Sequence, residues 1–443
     1  MKNENSPDRL VRAVGFWGLV ALCINGVVGS GVYLLPSESF KLLGPFSLWA
    51  PILFAFPVFI LVLCFAEASS HFSEPGGAYL YARTAFGDFI GFETGWMNTL
   101  ARVTSLASLA NGFVVSLARL VPSAGEPTPR ALLITATLVL FAGIHTLGIK
   151  YGARTIYFFT FGKLIPLLLF ILVALASFRH NPIPASLVWP GANADWREAA
   201  FLLLFAYAGF ENMGIPAGEY KDPKRQLPYA LLVGILAIAI VYALAQLAAM
   251  SALPDLSRTD TPIADAAANI MGNFGATLIT VGAIISILGT NLGTLLEGSR
   301  MMYTLGLDRP PFTFVSRIHQ TFRTPYVAII ILAGVAIPLA IAGSFVKLAL
   351  LSAVARLTTY LFTCASLPRL RKISPGFRAP GGLLVPILGT LISLSLFAIM
   401  TRERFIAAVI ALTVGAMLFG ISRMLGGKPR LPQELRETPA DVP

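Results

Sequence analysis

Asn25, Gly29, Ser30 and Gly31 stand together in "CINGVVGSGVY", residues 23–33, inside an apolar run long enough to cross a bilayer. Glycine costs a helix roughly 1 kcal/mol per residue against alanine, so this span is weak at its own centre. A helix broken in lipid frees backbone N–H and C=O groups, each costing several kcal/mol if left unsatisfied. The start of the following half-helix presents free amides and a positive dipole end, which suits a carboxylate. The facing half-helix ends offer carbonyls, which suit an ammonium group. A site with both ends fits a zwitterion such as an amino acid. The competing reading is a glycine patch that lets helices pack closely.

Ionisable residues inside apolar runs are the next candidates, because burying them in a membrane is expensive. Lys163 lies in "TFGKLIPLLLF", Glu211 in "FAYAGFENMG", and Arg102, Glu297 and Arg356 in three further runs. Lys163, near the start of its span, either snorkels to the interface or is buried. A buried lysine gives up its proton more readily than one in water, so it can link proton movement to conformation. Glu211 at a break can gate, bind a cationic group or cap the second half-helix. An arginine by the site favours anionic or neutral side chains and Glu211 favours cationic ones, so the two cues conflict. Arg356 and Glu297 are expected to form a structural ion pair.

The elements that must position these residues are helices. The chain is 12% charged with mean hydropathy +0.74, where soluble domains carry about 25% charged residues. About twelve segments are long enough to span, near 14–36, 46–66, 91–120, 131–148, 156–178, 198–218, 228–250, 272–304, 325–343, 346–367, 382–399 and 404–424. The net charge of +11 is unevenly distributed: if the N-terminus is inside, 21 of the 33 basic residues fall in inside loops and tails. This is the positive-inside pattern with both termini cytoplasmic, so the basic excess marks topology, and no nucleic-acid motif accompanies it. Cys23, Cys64 and Cys364 are isolated in apolar runs, and the four histidines lack metal-ligand spacing. No cofactor is implied, and no nucleophile–base pair suggests an enzyme. The phosphate-binding pattern GxxxxGK[ST] is absent from the sequence, which argues against an ATP-driven pump. Loop 74–90 is too amphipathic to span and is expected to lie along the inner surface, with Glu67, Arg83 and Glu219 as inner-gate or loop-anchoring groups.

The first span is interrupted at 25–31 and the sixth near 205–214. Matching interruptions five spans apart point to an inverted-repeat transporter with its site at the breaks. The expected organisation is a cytoplasmic segment 1–13, a first repeat 14–178, a second repeat 198–372, two extra spans in 380–424 and a cytoplasmic tail 425–443.

Four stretches resemble, in order, the amino acid–polyamine–organocation (APC) permeases: "GVVGSGVY", "EPGGAYLYARTAFGDFIGFETGW" at 74–96, "YAGFENMGIPAGEYKDPKRQLPYAL" at 207–231, and "LLEGSRMMYTLGLDRPPF" at 295–312. The resemblance implies an all-α membrane protein of about twelve helices in the LeuT-type 5+5 inverted repeat, with helices 1 and 6 broken and two helices added at the C-terminus. It implies alternating access for small amine-bearing substrates in the cell (inner) membrane, as a monomer or homodimer. Carried onto this chain, it gives the amides of Gly29, Ser30 and Gly31 to the substrate carboxylate and the carbonyls of Val27, Phe205 and Ala208 to its amine. Ala101, Arg102, Phe210, Glu211 and Gly293 would border the side-chain pocket, which the small Gly293 would leave open. Sodium-independent members carry a lysine where Lys163 stands, so its ammonium would take a sodium ion's place and brace the first break against span eight. Asn25, grouped with Lys163 for coupling, departs from the glycine of many members. The expected activity is proton-coupled symport of an amino acid, with exchange as the nearest variant and a transport-dead nutrient sensor as the remote one.

Overall fold

The computed structural model describes residues 14–73, 76–148, 153–177, 194–215, 217, 220–253, 255–307, 311–373 and 376–426. The expected N-terminal segment 1–13, Glu219 and the tail beyond 426 lie outside them. Among the described residues the chain is helical, with no β-structure beyond one isolated bridge, Val14 with Tyr220. The first apolar run forms α1 (Phe16–Val27) and α2 (Gly31–Leu43), parted at Val28–Ser30 with a bend of 44°. There follow α3 (Ala50–Ser70), α4 (Ala78–Phe86), α5 (Asp88–Ala118), α6 (Pro127–Thr146) and α7 (Ala153–Ala176). The second half holds α8 (Trp196–Tyr207), α9 (Pro223–Ala252), α10 (Pro262–Gly306), α11 (Tyr326–Ala342) and α12 (Phe345–Ile373), then α13 (Leu384–Ile399) and α14 (Arg402–Met424).

Eight of these helices are long and apolar enough to cross a membrane, and the bent α1–α2 pair makes nine. The apolar helices α11 and α13 are shorter, and α8 ends after three turns at the second break. Each of the twelve expected segments overlaps a helix. The eighth expected span begins at 272, where Gly272 takes a left-handed φ of 66° and interrupts α10.

Burial separates centre from periphery. The most apolar windows of α5 and α12 are 72% and 78% buried, against 17% in α6 and α14. The central pair therefore packs against protein on most sides, while α6 and α14 turn large apolar side chains such as Leu132, Ile410 and Met417 outward, where lipid can replace water. Loop 74–90 departs from expectation: α4 is buried, with Tyr79, Leu80 and Tyr81 at most 4% exposed. Its apolar face has protein to cover it. Gly77 abuts Ile215, and Gly214 abuts the Tyr81 hydroxyl, so α4 lies under the segment that follows the second break.

Contacts between loops group them by side. On one side Glu198 holds Arg404 through two bonds of 2.6 Å, and Arg119 meets Asp265 at 2.8 Å. On the other, the Lys221 amide donates to Val14 O at 3.0 Å, and the Thr324 hydroxyl donates to Thr146 O at 2.8 Å. These are the loops that the charge pattern puts together. Glu67 and Arg83 act as anchors. Arg83 holds Asp88 at 2.6 Å across the α4–α5 turn. Glu67 takes a forked pair of bonds from Arg371, at 2.5 and 2.8 Å, and the Ala379 amide at 3.0 Å. The Glu67 side chain is fully buried and Arg371 is 12% exposed. Removing one partner of a buried pair strands the other charge, at about 3–5 kcal/mol. Arg371→Ala should therefore destabilise the protein by about that amount, and thermal unfolding in detergent would check it, with the exposed Arg402→Ala as the silent control.

Candidate functional site

The two breaks cross backbone to backbone. Gly209, directly after α8, has φ +131°, and a Cβ there would sit 2.5 Å from Gly26 O. Only glycine accepts both that dihedral and that approach. Close packing, the competing reading of the glycines, is thus part of the answer at this crossing.

Around the first break the carbonyls are taken. Lys163 lies ten residues into α7, about 15 Å along it, and is fully buried. Its Nζ donates to Val28 O at 2.6 Å, Asn25 O at 3.0 Å and Thr290 Oγ1 at 3.2 Å. It does not snorkel, because α1 and α10 cover the stem and supply the ammonium's acceptors. Ser286 on α10 donates to Val28 O or Gly29 O, each at 3.1 Å. The Tyr242 hydroxyl on α9 lies 2.9 Å from Ala206 O and 3.2 Å from Val27 O, bridging the two breaks. The donors are different. Among the described residues, no protein group accepts from the amides of Gly29, Ser30 or Gly31, and the buried Ser30 hydroxyl has no partner.

At the second break, one carboxylate gathers the charges. Glu211 follows α8 in the short turn Phe210–Asn212, and its side chain is fully buried. Its Oε1 accepts from Arg102 Nη2 and Arg356 Nε, each at 2.7 Å. Its Oε2 accepts the Gly209 amide at 2.7 Å and faces the Tyr360 hydroxyl at 3.4 Å. Arg102 also reaches Glu297 at 3.3 Å. Arg356 donates to Ser105 at 2.9 Å and to Ser352. The expected Arg356–Glu297 pair is corrected: Arg356 pairs with Glu211, and Glu297 with Arg102. The conflict of cues also eases, since Glu211 is occupied by two guanidinium groups and offers little to a cationic ligand.

A cavity of about 30 Å³ lies between the breaks and α5, α10 and α12. That is room for about two waters, so an amino acid requires the surrounding helices to part. Of the expected residues, Val27, Gly29, Ser30, Gly31, Arg102, Phe205 and Ala208 line it; Asn25, Ala101, Phe210, Glu211 and Gly293 do not. Phe210 stacks on Tyr360 with ring centroids 5.6 Å apart. The Ala101 carbonyl accepts from Ser352 at 3.0 Å. A Cβ on Gly293 would meet nothing within 4 Å. Gly26, Ala206 and Gly209, within the two expected interruptions, also line it, and Ser105, Leu109, Thr290 and Thr294 line it unforeseen. Leucine, serine and threonine are unremarked in an apolar run. The i, i+4 spacing of Thr290 and Thr294, on one helix face, is the signal that could have found them.

A family described as "Amino acid permease" matches residues 14–421. The chain is similar to the serine/threonine exchanger SteT of Bacillus subtilis, 28% identical over 74% of this chain and 76% of that protein. It is similar to an uncharacterized transporter of Mycobacterium tuberculosis, 28% identical over 79% and 78%. It is also similar to the branched-chain amino acid permease BcaP of Bacillus subtilis, 24% identical over 93% and 92%.

Three substitutions separate the supports of the site. Glu211→Ala strands two buried guanidinium groups and should cost about 3–5 kcal/mol, whereas Glu297→Ala, with its side chain 24% exposed and Arg102 still held by Glu211, should cost less. Gly209→Ala should add about 1–3 kcal/mol of backbone strain and force Gly26 away. Melting temperatures of the three variants in detergent would rank them.

Proposed function

The chain belongs to the amino acid permease family of the APC superfamily, and from that premise we propose that it is a secondary transporter carrying amino acids through alternating access about its two broken helices. One observation carries this reading: three consecutive amides with no protein acceptor among the described residues, at a helix start that faces a cavity beside a second break. A substrate α-carboxylate would take the amides of Gly29, Ser30 and Gly31. The amine would face the carbonyls of Val27, Phe205 and Ala208, since a carbonyl already accepting one bond keeps a second lone pair. In this reading α1–α7 and α8–α12 are the two five-span repeats of the LeuT-type arrangement, and α13 and α14 are additions. In this reading the protein lies in the cell membrane, and the uneven spread of basic residues supports both termini being cytoplasmic. One chain holds every group the site needs, so a monomer suffices.

Lys163 is the coupling residue of this proposal. While charged, it ties Asn25 O and Val28 O of the first break to Thr290 on α10. Losing its proton removes the charge from those bonds, each worth about 1.5–3 kcal/mol, and frees α1 to move. Protons would thus drive symport through the same contacts that hold the break closed. Exchange is the second reading, favoured by the relative named as a serine/threonine exchanger; there Lys163 is a brace whose charge stays constant.

Uptake of a panel of radiolabelled L-amino acids into proteoliposomes tests both. The expected result is concentrative uptake under an inward proton gradient, not under a sodium gradient. Lys163→Met should lower it by about tenfold or more, the loss of one charge-assisted bond, and should flatten its pH dependence. Uptake only into vesicles loaded with amino acid would establish exchange. No flux of any amino acid, with binding intact, would leave a sensor.

A further inference from the structure

The polar lining of the cavity is one-sided. Its polar side chains are Ser30, Arg102, Ser105, Thr290, Thr294 and Arg356, and no carboxylate is among them. The two carboxylates of the cluster hold the arginines without lining the cavity: Glu211 binds both, and Glu297 binds Arg102. A ligand in the cavity meets guanidinium groups.

The two arginines differ in what they have left to give. Each nitrogen of Arg356 has a partner: Nε on Glu211, Nη1 on Ser352 and Nη2 on Ser105. Arg102 bonds through Nη1 and Nη2 alone. Its Nε is buried without a partner among the described residues, on a side chain only 3% exposed. A buried donor left unmade destabilises the fold, and an acceptor brought by a ligand would recover that loss. The Ser30 hydroxyl, lining the same cavity, is unpartnered too. Two residues that line the cavity therefore hold unused donors buried beside it, Ser30 with the neighbouring amides and Arg102 with its Nε, and parting of the helices would bring a ligand to them.

Resting on the reading of this cavity as an amino-acid site, we propose that it selects amino acids with a short, neutral, oxygen-bearing side chain, and that Arg102 is the residue that recognises that oxygen. Leu109 and Phe205 form walls of the cavity that stand against long side chains. A lysine or arginine side chain would face two guanidinium groups. An apolar one would leave the Arg102 donor unpaired, and sites built to bond a polar group reject analogues that lack it far more strongly than apolar pockets reject a methylene. Two arginines against two glutamates leave the cluster neutral, so a side-chain carboxylate would add a buried charge with nothing left to compensate it, and a hydroxyl or carboxamide would not.

Threonine and valine, which differ by a hydroxyl for a methyl, give the cleanest test. Binding of each to purified protein in detergent, by competition and by thermal shift, requires no flux. Wild type should bind threonine, serine and asparagine at least about tenfold more tightly than valine, leucine and lysine, a difference of about 1.4 kcal/mol. Arg102→Met should abolish the threonine-over-valine preference, and Arg102→Lys should restore part of it. Equal binding of threonine and valine by wild type, or a preference unchanged in a folded Arg102→Met, overturns the assignment of Arg102 while leaving an amino-acid site. If Arg102→Met does not fold, the wild-type ratio decides alone. Absence of binding by any L-amino acid overturns the site reading itself, and this inference with it.

Discussion

A helix broken inside a bilayer must find partners for its freed backbone groups, because lipid supplies none. In this chain that constraint organises the centre of the molecule. The carbonyls around the first break are answered by side chains from three other helices: Lys163 on α7, Tyr242 on α9, and Ser286 and Thr290 on α10. At the second break the Gly209 amide is answered by Glu211 from within the same turn. The amides at 29–31 are left over. The carbonyls of Asn25, Val27 and Val28 are paired and the amides at 29–31 are spare among the described residues, and a site with spare donors at a positive helix end favours an anionic group. The polarity of the site therefore follows from how the break is satisfied.

The charged cluster is the second consequence. Glu211 can cap the Gly209 amide only as a buried acceptor, and a buried carboxylate needs compensating charge. Arg102 from α5 and Arg356 from α12 supply it, and the excess positive charge is met by Glu297 from α10. Ser105 and Ser352, 2.7 Å apart, take the remaining bonds of Arg356 and join the two central helices. One capping contact at a break thus draws in three helices and places two guanidinium groups on the cavity wall.

Much of this was legible in the sequence, for a physical reason. Glycine, asparagine and charge are costly in apolar spans, so wherever they occur they stand out. The two breaks, Lys163, Arg102 and Glu211 were all conspicuous in that way, and the apolar runs gave the helices. The pairing of the charges was not legible. Burial can be read from one segment, but the choice between Glu211 and Glu297 as the partner of Arg356 depends on which helices adjoin. Hydroxyl residues were missed because they are cheap anywhere in a span: Thr99, Thr104 and Ser116 bond to carbonyls of their own helix, while Ser286 and Thr290, of the same chemistry, cross to another. The burial of α4 was hidden in the same way, since an amphipathic segment reads alike whether its apolar face meets lipid or protein.

The two sets of bonds converge on α10. Thr290 and Ser286 hold the first break, and Glu297, seven residues beyond Thr290 and on the same helix face, holds Arg102. Lys163 joins α7 to α1 and α10; Arg102 and Arg356 join α5 and α12 to the second break. Movement of the broken helices against α5, α10 and α12 cannot leave either set intact. Stranding a buried charge costs several kcal/mol, so such a movement is affordable only if the bonds are exchanged as they break. The groups able to take part in exchange are those with capacity to spare: the free amides, the Ser30 hydroxyl, the Arg102 Nε and the second lone pairs of the carbonyls. These are also the groups that a zwitterion with a polar side chain would engage. A ligand that bridges them supplies replacement bonds during the change of shape, which is how binding energy at a break can be converted into motion about it.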